Sequence, residues 1–157
     1  MAVTLQAGDK APNFEGKDQN GKSISLADFS GKTLILYFYP KDDTPGCTKE
    51  ACNLRDNYEA LLEQGYAVLG VSPDGEASHQ KFIAKYELPF PLIADEKKEI
   101  MEAYGTWGEK NMYGKIKLGV LRTTFIIDGE GVIRKVFKRP KTAEHTEQIL
   151  KAMEKLS

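Results

Sequence analysis

The sequence predicts an α/β fold, with a central mixed sheet flanked by helices and an N-terminal β-hairpin extension. Three observations carry this. Apolar runs of strand length occur at 33–39, 67–72 and 123–127, as expected of strands buried inside a sheet. Segments with helical signals lie between and after them, at 44–64, 78–86 and 142–156. The order strand–helix–strand–helix, then a hairpin, then a helix, places helices on both faces of one sheet.

Each element has a local reason. Asn20-Gly21 is a tight-turn pair, and the short segments around Phe14 and Ile24 form the predicted hairpin. Ser30-Gly31-Lys32 leads into the run at 33–39, read as the central strand. A long helix is predicted over 44–64, with Thr44 as N-cap, Pro45 at the first helical position and Gly65 closing it. A second buried strand covers 67–72, and a helix over 78–86 is stopped by Pro89. Residues 92–94 read as a short strand and 97–104 as a short helix. Trp107, Met112 and Tyr113 fall in a glycine-containing loop, with core packing expected of their side chains. The strand at 123–127 turns through Asp128-Gly129-Glu130-Gly131 into 132–137, and the chain closes as a helix over 142–156. This order is compatible with a thioredoxin-like fold. No repeat, low-complexity stretch or linker divides the chain, so residues 1–157 are expected to form a single domain.

Composition narrows the function. With 41% apolar and 29% charged residues in 157, the chain can bury a full core. A formal net charge of -1 supplies no overall field toward nucleic acid or an anionic membrane. The start Met1-Ala2-Val3-Thr4-Leu5-Gln6 lacks a basic segment followed by an apolar run, so no export signal is expected and the expected location is cytoplasmic. The two cysteines, Cys47 and Cys52, therefore suggest redox chemistry or metal binding rather than stapling. Structural zinc needs about four ligands. His79 and His145 are far apart in sequence and are expected on solvated helix faces, so no metal is expected.

The informative segment runs from Tyr39 to Cys52, directly after the central strand, where ligand chemistry in α/β sheets gathers. Cys47 falls in the first helical turn. Helical side chains tilt toward the N-terminus, so its sulfur points at unpaired backbone N–H groups and the positive end of the helix dipole. That environment stabilises a thiolate, the nucleophilic form of the residue. The alternative is a small buried residue on the stripe Ala51, Leu54, Tyr58 and Leu61. Cys52 lies five residues on, with its Cα roughly 8 to 9 Å from that of Cys47 in an intact helix, beyond the 7 Å or so a disulfide tolerates. Bonding the two requires the first turn or more to unwind.

Pro40-x-x-x-Thr44-x-x-Cys47 resembles the active-site signature of the peroxiredoxins. The continuation Thr44-Pro45-Gly46-Cys47-Thr48-Lys49-Glu50-Ala51-Cys52 is similar to the bacterioferritin comigratory protein (peroxiredoxin Q) branch. The resemblance extends through Tyr37-Phe38-Tyr39-Pro40, Leu69-Gly70-Val71-Ser72, Trp107-Gly108-Glu109-Lys110 and the segment from Arg122 to Asp128, covering nearly the whole chain. It implies a thioredoxin-like fold and reduction of hydrogen peroxide and organic hydroperoxides. It implies Cys47 as peroxidatic and Cys52 as resolving cysteine, joined in a disulfide when oxidised. Thr44 and Arg122 then complete the site, and Pro40 shields the thiolate. The implied reductant is thioredoxin or a similar dithiol. No dissociable cofactor is expected, and the branch suggests a monomer. Physical chemistry agrees: Arg122 offers a permanent cationic fork and Thr44 a hydroxyl that both accepts and donates. Glu50 is expected either to orient an arginine or to face solvent.

Two alternatives frame the reading. A disulfide oxidoreductase of the thioredoxin kind would carry C-x-x-C, whereas four residues separate these cysteines. A non-catalytic binding domain could use the basic run at 134–141 for nucleic acid, but the favoured expectation for that run is a solvated edge strand in which lysine discourages aggregation.

Overall fold

The computed structural model describes residues 3–156; Met1 and Ala2, part of the segment searched for an export signal, lie outside it with Ser157 and the Met112 side chain. A hairpin of β1 (Glu15–Lys17) and β2 (Ser23–Ser25) opens the chain. Its turn is held by Asp18, whose Oδ1 accepts from the backbone N–H of Asn20 and Lys22 at 2.8 and 3.0 Å, while Gly21 takes φ +74°. A 3-10 turn at Leu26–Phe29 leads to β3 (Thr33–Phe38), followed by α1 (Pro45–Asp56), α2 (Tyr58–Glu63) and β4 (Tyr66–Ser72). Then come α3 (Glu76–Tyr86), β5 (Leu92–Ala94), α4 (Glu99–Tyr104), β6 (Trp107–Met112) and β7 (Lys115–Val120). Strands β8 (Thr123–Ile127) and β9 (Ile133–Phe137) and helix α5 (His145–Leu156) finish the chain.

The main sheet has the order β5-β4-β3-β8-β9, with β3, β4 and β5 parallel and β8 and β9 antiparallel to their neighbours. Alternation along the central strand divides the core in two. Leu34, Leu36 and Phe38 pack with Leu69, Phe125 and α4 on one face. Ile35, Tyr37 and Tyr39 pack with Val68, Ile126 and the buried sides of α1, α3 and α5 on the other. Cys47, Ala51 and Leu54 form the buried stripe of α1. Fully burying a leucine such as Leu54 stabilises by about 1.5–3 kcal/mol, which holds α1 on the sheet more firmly than its own propensity would.

Several expectations need correction. The long helix predicted over 44–64 is two helices, broken at Asn57. The Asn57 side chain donates to the carbonyl of Asn53 at 2.8 Å, taking the acceptor that helical continuation would have used. Helix α3 ends at Tyr86 as expected, but it is stopped by Glu87 in the left-handed region, two residues before Pro89. The loop predicted around Trp107 to Tyr113 is a hairpin of β6 and β7, turning at Tyr113 and Gly114, both with positive φ. Its strands are polar and largely exposed, so they carry no apolar run to read. Trp107 packs against the core as expected, but Tyr113 is fully exposed. His79 and His145, expected on solvated faces, are completely buried, and each exchanges hydrogen bonds with polar partners that offset the cost. Strand β9 is an edge strand with Lys135 exposed, as its basic composition suggested. No helix of the described residues is long and apolar enough to cross a membrane.

Gly70 sits in the middle of buried β4, where a Cβ would lie 2.7 Å from Leu92 Cδ2 and 2.9 Å from the Tyr37 hydroxyl. Gly70→Ala therefore overpacks the sheet and lowers unfolding stability in urea by about 1–3 kcal/mol.

Candidate active site at the head of helix α1

Strand β3 delivers the chain to the carboxyl end of the sheet, and Tyr39 extends its ladder by donating to the Val71 carbonyl at 3.1 Å. Residues 40–44 then cross to α1. Thr44 occupies the N-cap position with extended backbone, and its carbonyl accepts from Thr48 N–H at 2.8 Å. Its side chain does not cap, however. The hydroxyl donates to the Lys41 carbonyl at 2.9 Å, which leaves its oxygen able to accept. Pro45 at the first position has no N–H to lose, and the next amides, of Gly46 and Cys47, have no intrahelical acceptor.

Cys47 is 1% exposed, so its sulfur sits beneath the helix start and out of bulk water. Arg122, just ahead of β8, reaches it from the neighbouring strand: Nη2 lies 3.1 Å from Sγ. The other arm of the same guanidinium, Nη1, donates to Glu50 Oε1 at 3.0 Å. Gly46 allows this approach, because a Cβ there would stand 3.2 Å from Nη2. Burial works against the Arg122 charge, but Glu50 and Cys47 outweigh it and hold the guanidinium more firmly protonated than usual.

Glu50 does not face solvent. It is 0% exposed, and burial pushes its carboxyl up to about 7 while Arg122 pulls the other way. Its second oxygen, Oε2, has no hydrogen-bond partner among the described residues and lies 3.7 Å from His145 Nε2. His145 cannot serve as its counter-ion. Its Nδ1 donates to Gln148 Oε1 at 3.0 Å, and its Nε2 lies 2.8 Å from the Thr124 hydroxyl, which can donate to it when the ring is neutral. Burial drives its proton affinity down to about 4, with Gln148 opposing and Arg122 reinforcing the fall.

The structure thus brings together Cys47, Arg122 and Glu50, and sets Thr44 and half-buried Pro40 on the loop leading into the same helix turn. It keeps Cys52 apart. Both cysteines are free and lie on one unbroken helix, five residues apart. Cys52 is half-buried, and burial raises its thiol, with Arg55 opposing. Its neighbour Asn53 ties α1 to α5: Oδ1 accepts from Thr146 N–H at 2.7 Å, and Nδ2 donates to the Ala143 carbonyl at 3.1 Å.

Two buried polar groups were not foreseen. One is the Glu50–His145 neighbourhood. The other is a cluster of Asp42, Asp74 and His79, whose potential ligand atoms lie within 4.8 Å of one another. Both ring nitrogens of His79 are engaged inside the protein, by Asp42 at 2.7 Å and the Ile93 carbonyl at 2.9 Å.

The raised carboxyl of Glu50 has a defined sign. It stabilises the fold fully below its unfolded value near 4.5, and that contribution is lost as pH rises toward about 7. Glu50→Gln removes the titration. The stability of the parent chain relative to Glu50→Gln therefore falls by about 2–3 kcal/mol between pH 4.5 and 7.5, measured by urea unfolding at each pH.

Comparison with known proteins identifies the family. The AhpC/TSA family matches residues 7–136. Peroxiredoxin Bcp of Bacillus subtilis (strain 168) is 41% identical over 155 residues, covering 99% of both chains. Among solved structures, a mutant of Xylella fastidiosa PrxQ superposes with a TM-score of 0.89 at 30% identity, covering 98% of each chain. A Xanthomonas campestris bacterioferritin comigratory protein, studied for its alkyl peroxide reduction activity, superposes at 0.85 with 33% identity over 97% of each chain. With its thioredoxin-like sheet and a cysteine buried at the head of α1, the chain belongs to the AhpC/TSA family, in the Bcp (peroxiredoxin Q) group of thiol peroxidases.

Proposed function

We propose that the protein reduces hydrogen peroxide and organic hydroperoxides through Cys47 and Cys52, with thioredoxin or a similar dithiol as the electron donor. The observation that carries this reading is the Arg122 contact, 3.1 Å from the sulfur at the start of a helix. Sulfur attacks one peroxide oxygen in line with the O–O bond. That bond breaks, and the leaving oxygen takes the electron pair and then a proton, departing as water or alcohol. Cys47 is left as a sulfenic acid. Negative charge thus moves from sulfur to the leaving oxygen, and Arg122 is the group able to follow it. The Thr44 oxygen, with its proton committed to Lys41, is free to accept from the peroxide hydroxyl. Pro40, which has no N–H, keeps water from one side of the sulfur.

Cys52 acts second. Its thiol gives up its proton and the sulfur attacks the Cys47 sulfenic sulfur; the S–O bond breaks, the leaving oxygen takes the electron pair and a proton and departs as water, which gives the Cys47–Cys52 disulfide. The helix must open for this, releasing Cys52 from the burial that raises its thiol. A dithiol then restores both thiols by exchange, becoming oxidised itself. In this reading the chain works as one domain, as a cytoplasmic monomer, without metal or cofactor.

A peroxidase assay with thioredoxin and its reductase, joined to single-turnover mass spectrometry, tests the proposal. Cys47→Ser abolishes the first turnover. Cys52→Ser consumes one equivalent of peroxide, accumulates sulfenic acid at Cys47 and recycles poorly. Wild type treated with stoichiometric peroxide but retaining an unmodified Cys47 would overturn the reading. Amide exchange supplies a second test: residues 45–53 exchange faster in the oxidised than in the reduced protein, and equal protection would exclude the unwinding step.

A further inference from the structure

The loop between β3 and α1 is held from outside the catalytic cluster, and the holding group is a buried histidine. Asp42 lies midway between Pro40 and Thr44 and is itself buried. Its Oδ1 accepts from the Tyr39 hydroxyl at 2.6 Å, and its Oδ2 from the Ser78 hydroxyl at 2.8 Å and from His79 Nδ1 at 2.7 Å. Its backbone N–H donates to Asp74 Oδ2 at 2.8 Å. The next residue, Asp43, has a left-handed backbone at φ +57°, and its carboxylate is held by Lys85 and Tyr86 at 2.8 and 2.7 Å. Helix α3 therefore grips two consecutive residues of the loop, through Ser78 and His79 near its start and Lys85 and Tyr86 at its end.

The protonation of His79 follows from its partners. Ile93 offers a carbonyl oxygen 2.9 Å from Nε2, which accepts and cannot donate. Nε2 therefore carries hydrogen. A carboxylate already accepting from Tyr39 and Ser78 also accepts from Nδ1, so the ring is an imidazolium with both nitrogens donating. The groups facing it are Asp42 from the loop, the more distant Asp74 beyond β4, and the Tyr39 ring at 6.5 Å. Burial alone would lower its proton affinity. Asp42, the Ile93 carbonyl and Asp74 outweigh burial, so the proton is held above the ordinary range of histidine. The neutral His145 on the other side of the site has the opposite balance.

We propose that His79 is a positioning residue for the peroxide step, fixing through Asp42 the loop that carries Pro40 and Thr44 into the helix turn of Cys47. It touches neither sulfur nor peroxide, and the proposal rests on the peroxidase reading above. The clamp is complete while the ring is protonated and fails as pH rises through the raised value of the folded state. Two variants separate positioning from bulk stability. His79→Leu removes both donors. Asp42→Asn keeps a hydrogen-bonded pair without charge, because the asparagine amide can donate to a neutral Nδ1 while Nε2 still serves Ile93.

The test measures the rate constant of Cys47 with hydrogen peroxide in single turnover, from pH 6 to 10, on wild type, His79→Leu and Asp42→Asn. Mass spectrometry in each case confirms that residue 47 is the site modified, so loss of the peroxidase reading would appear as an unreactive wild type. His79→Leu is expected to react about ten-fold or more slowly at pH 7, because small displacements of positioning groups are costly to rate. Asp42→Asn is expected to slow the reaction at pH 7 by less than His79→Leu, and to lack the fall at high pH that wild type shows as its clamp is lost. Long-range nitrogen–proton NMR is expected to show His79 doubly protonated at pH 7. A folded His79→Leu with the wild-type rate and pH profile, or a neutral His79 at pH 7, would overturn the proposal.

Discussion

The site depends on one guanidinium that serves two partners at once. Arg122 spans the gap from β8 to α1 and must reach both a buried sulfur and a buried carboxylate. Neither partner is accessible to water, so each would carry a large desolvation cost if the arginine withdrew. The fork geometry suits this double duty, because its two nitrogens are rigidly spaced and both point the same way. A lysine ammonium in that position could satisfy only one partner well. Helix α1, the central sheet and the β7–β8 connection are thereby fastened at a single charged point.

The resting geometry is poised rather than complete. Glu50 keeps an oxygen without a hydrogen-bond partner, and its affinity for a proton places it near the middle of the physiological range. When Glu50 is ionised, the Arg122 charge is shared between its carboxylate and the Cys47 sulfur. When it is neutral, more of that charge is available to sulfur. The two cysteines show a similar division: Cys47 sits under the helix start, while Cys52 is kept as a protonated thiol by burial on the same helix. Bringing them together means undoing α1 near Asn53, whose side chain also satisfies an amide at the head of α5.

Much of this was legible in the sequence, and what was not has physical reasons. The central strand, the second strand and the strand after Arg122 were read from continuous apolar runs because burial on both faces leaves no other choice of residue. The cysteine position followed from Thr44, Pro45 and the strand before them. The β6–β7 hairpin was missed because it buries little and is built from charged and polar residues. The break at Asn57 was missed because it depends on a side chain competing for one carbonyl. His79 and His145 were misplaced for a different reason: a histidine in a helix gives no signal of burial until its partners are known. Those partners, Asp42 and Thr124, lie 37 and 21 residues away and are assembled only by the tertiary fold. Glu50 was ambiguous in the sequence, since an acid one turn after a cysteine can point outward as easily as inward.

Gly46 shows where the arrangement has least slack. The space its missing side chain leaves is the space the Arg122 nitrogen occupies. A single methyl group there would displace the guanidinium by a few tenths of an ångström, or tip the helix start away from it. The contacts from Arg122 to Cys47 and Glu50 weaken with such shifts, so an alanine at position 46 loosens the cluster while altering none of its polar atoms. A residue with no chemistry of its own thus limits how far the cluster tolerates change, and screens confined to polar and nucleophilic side chains would pass over it.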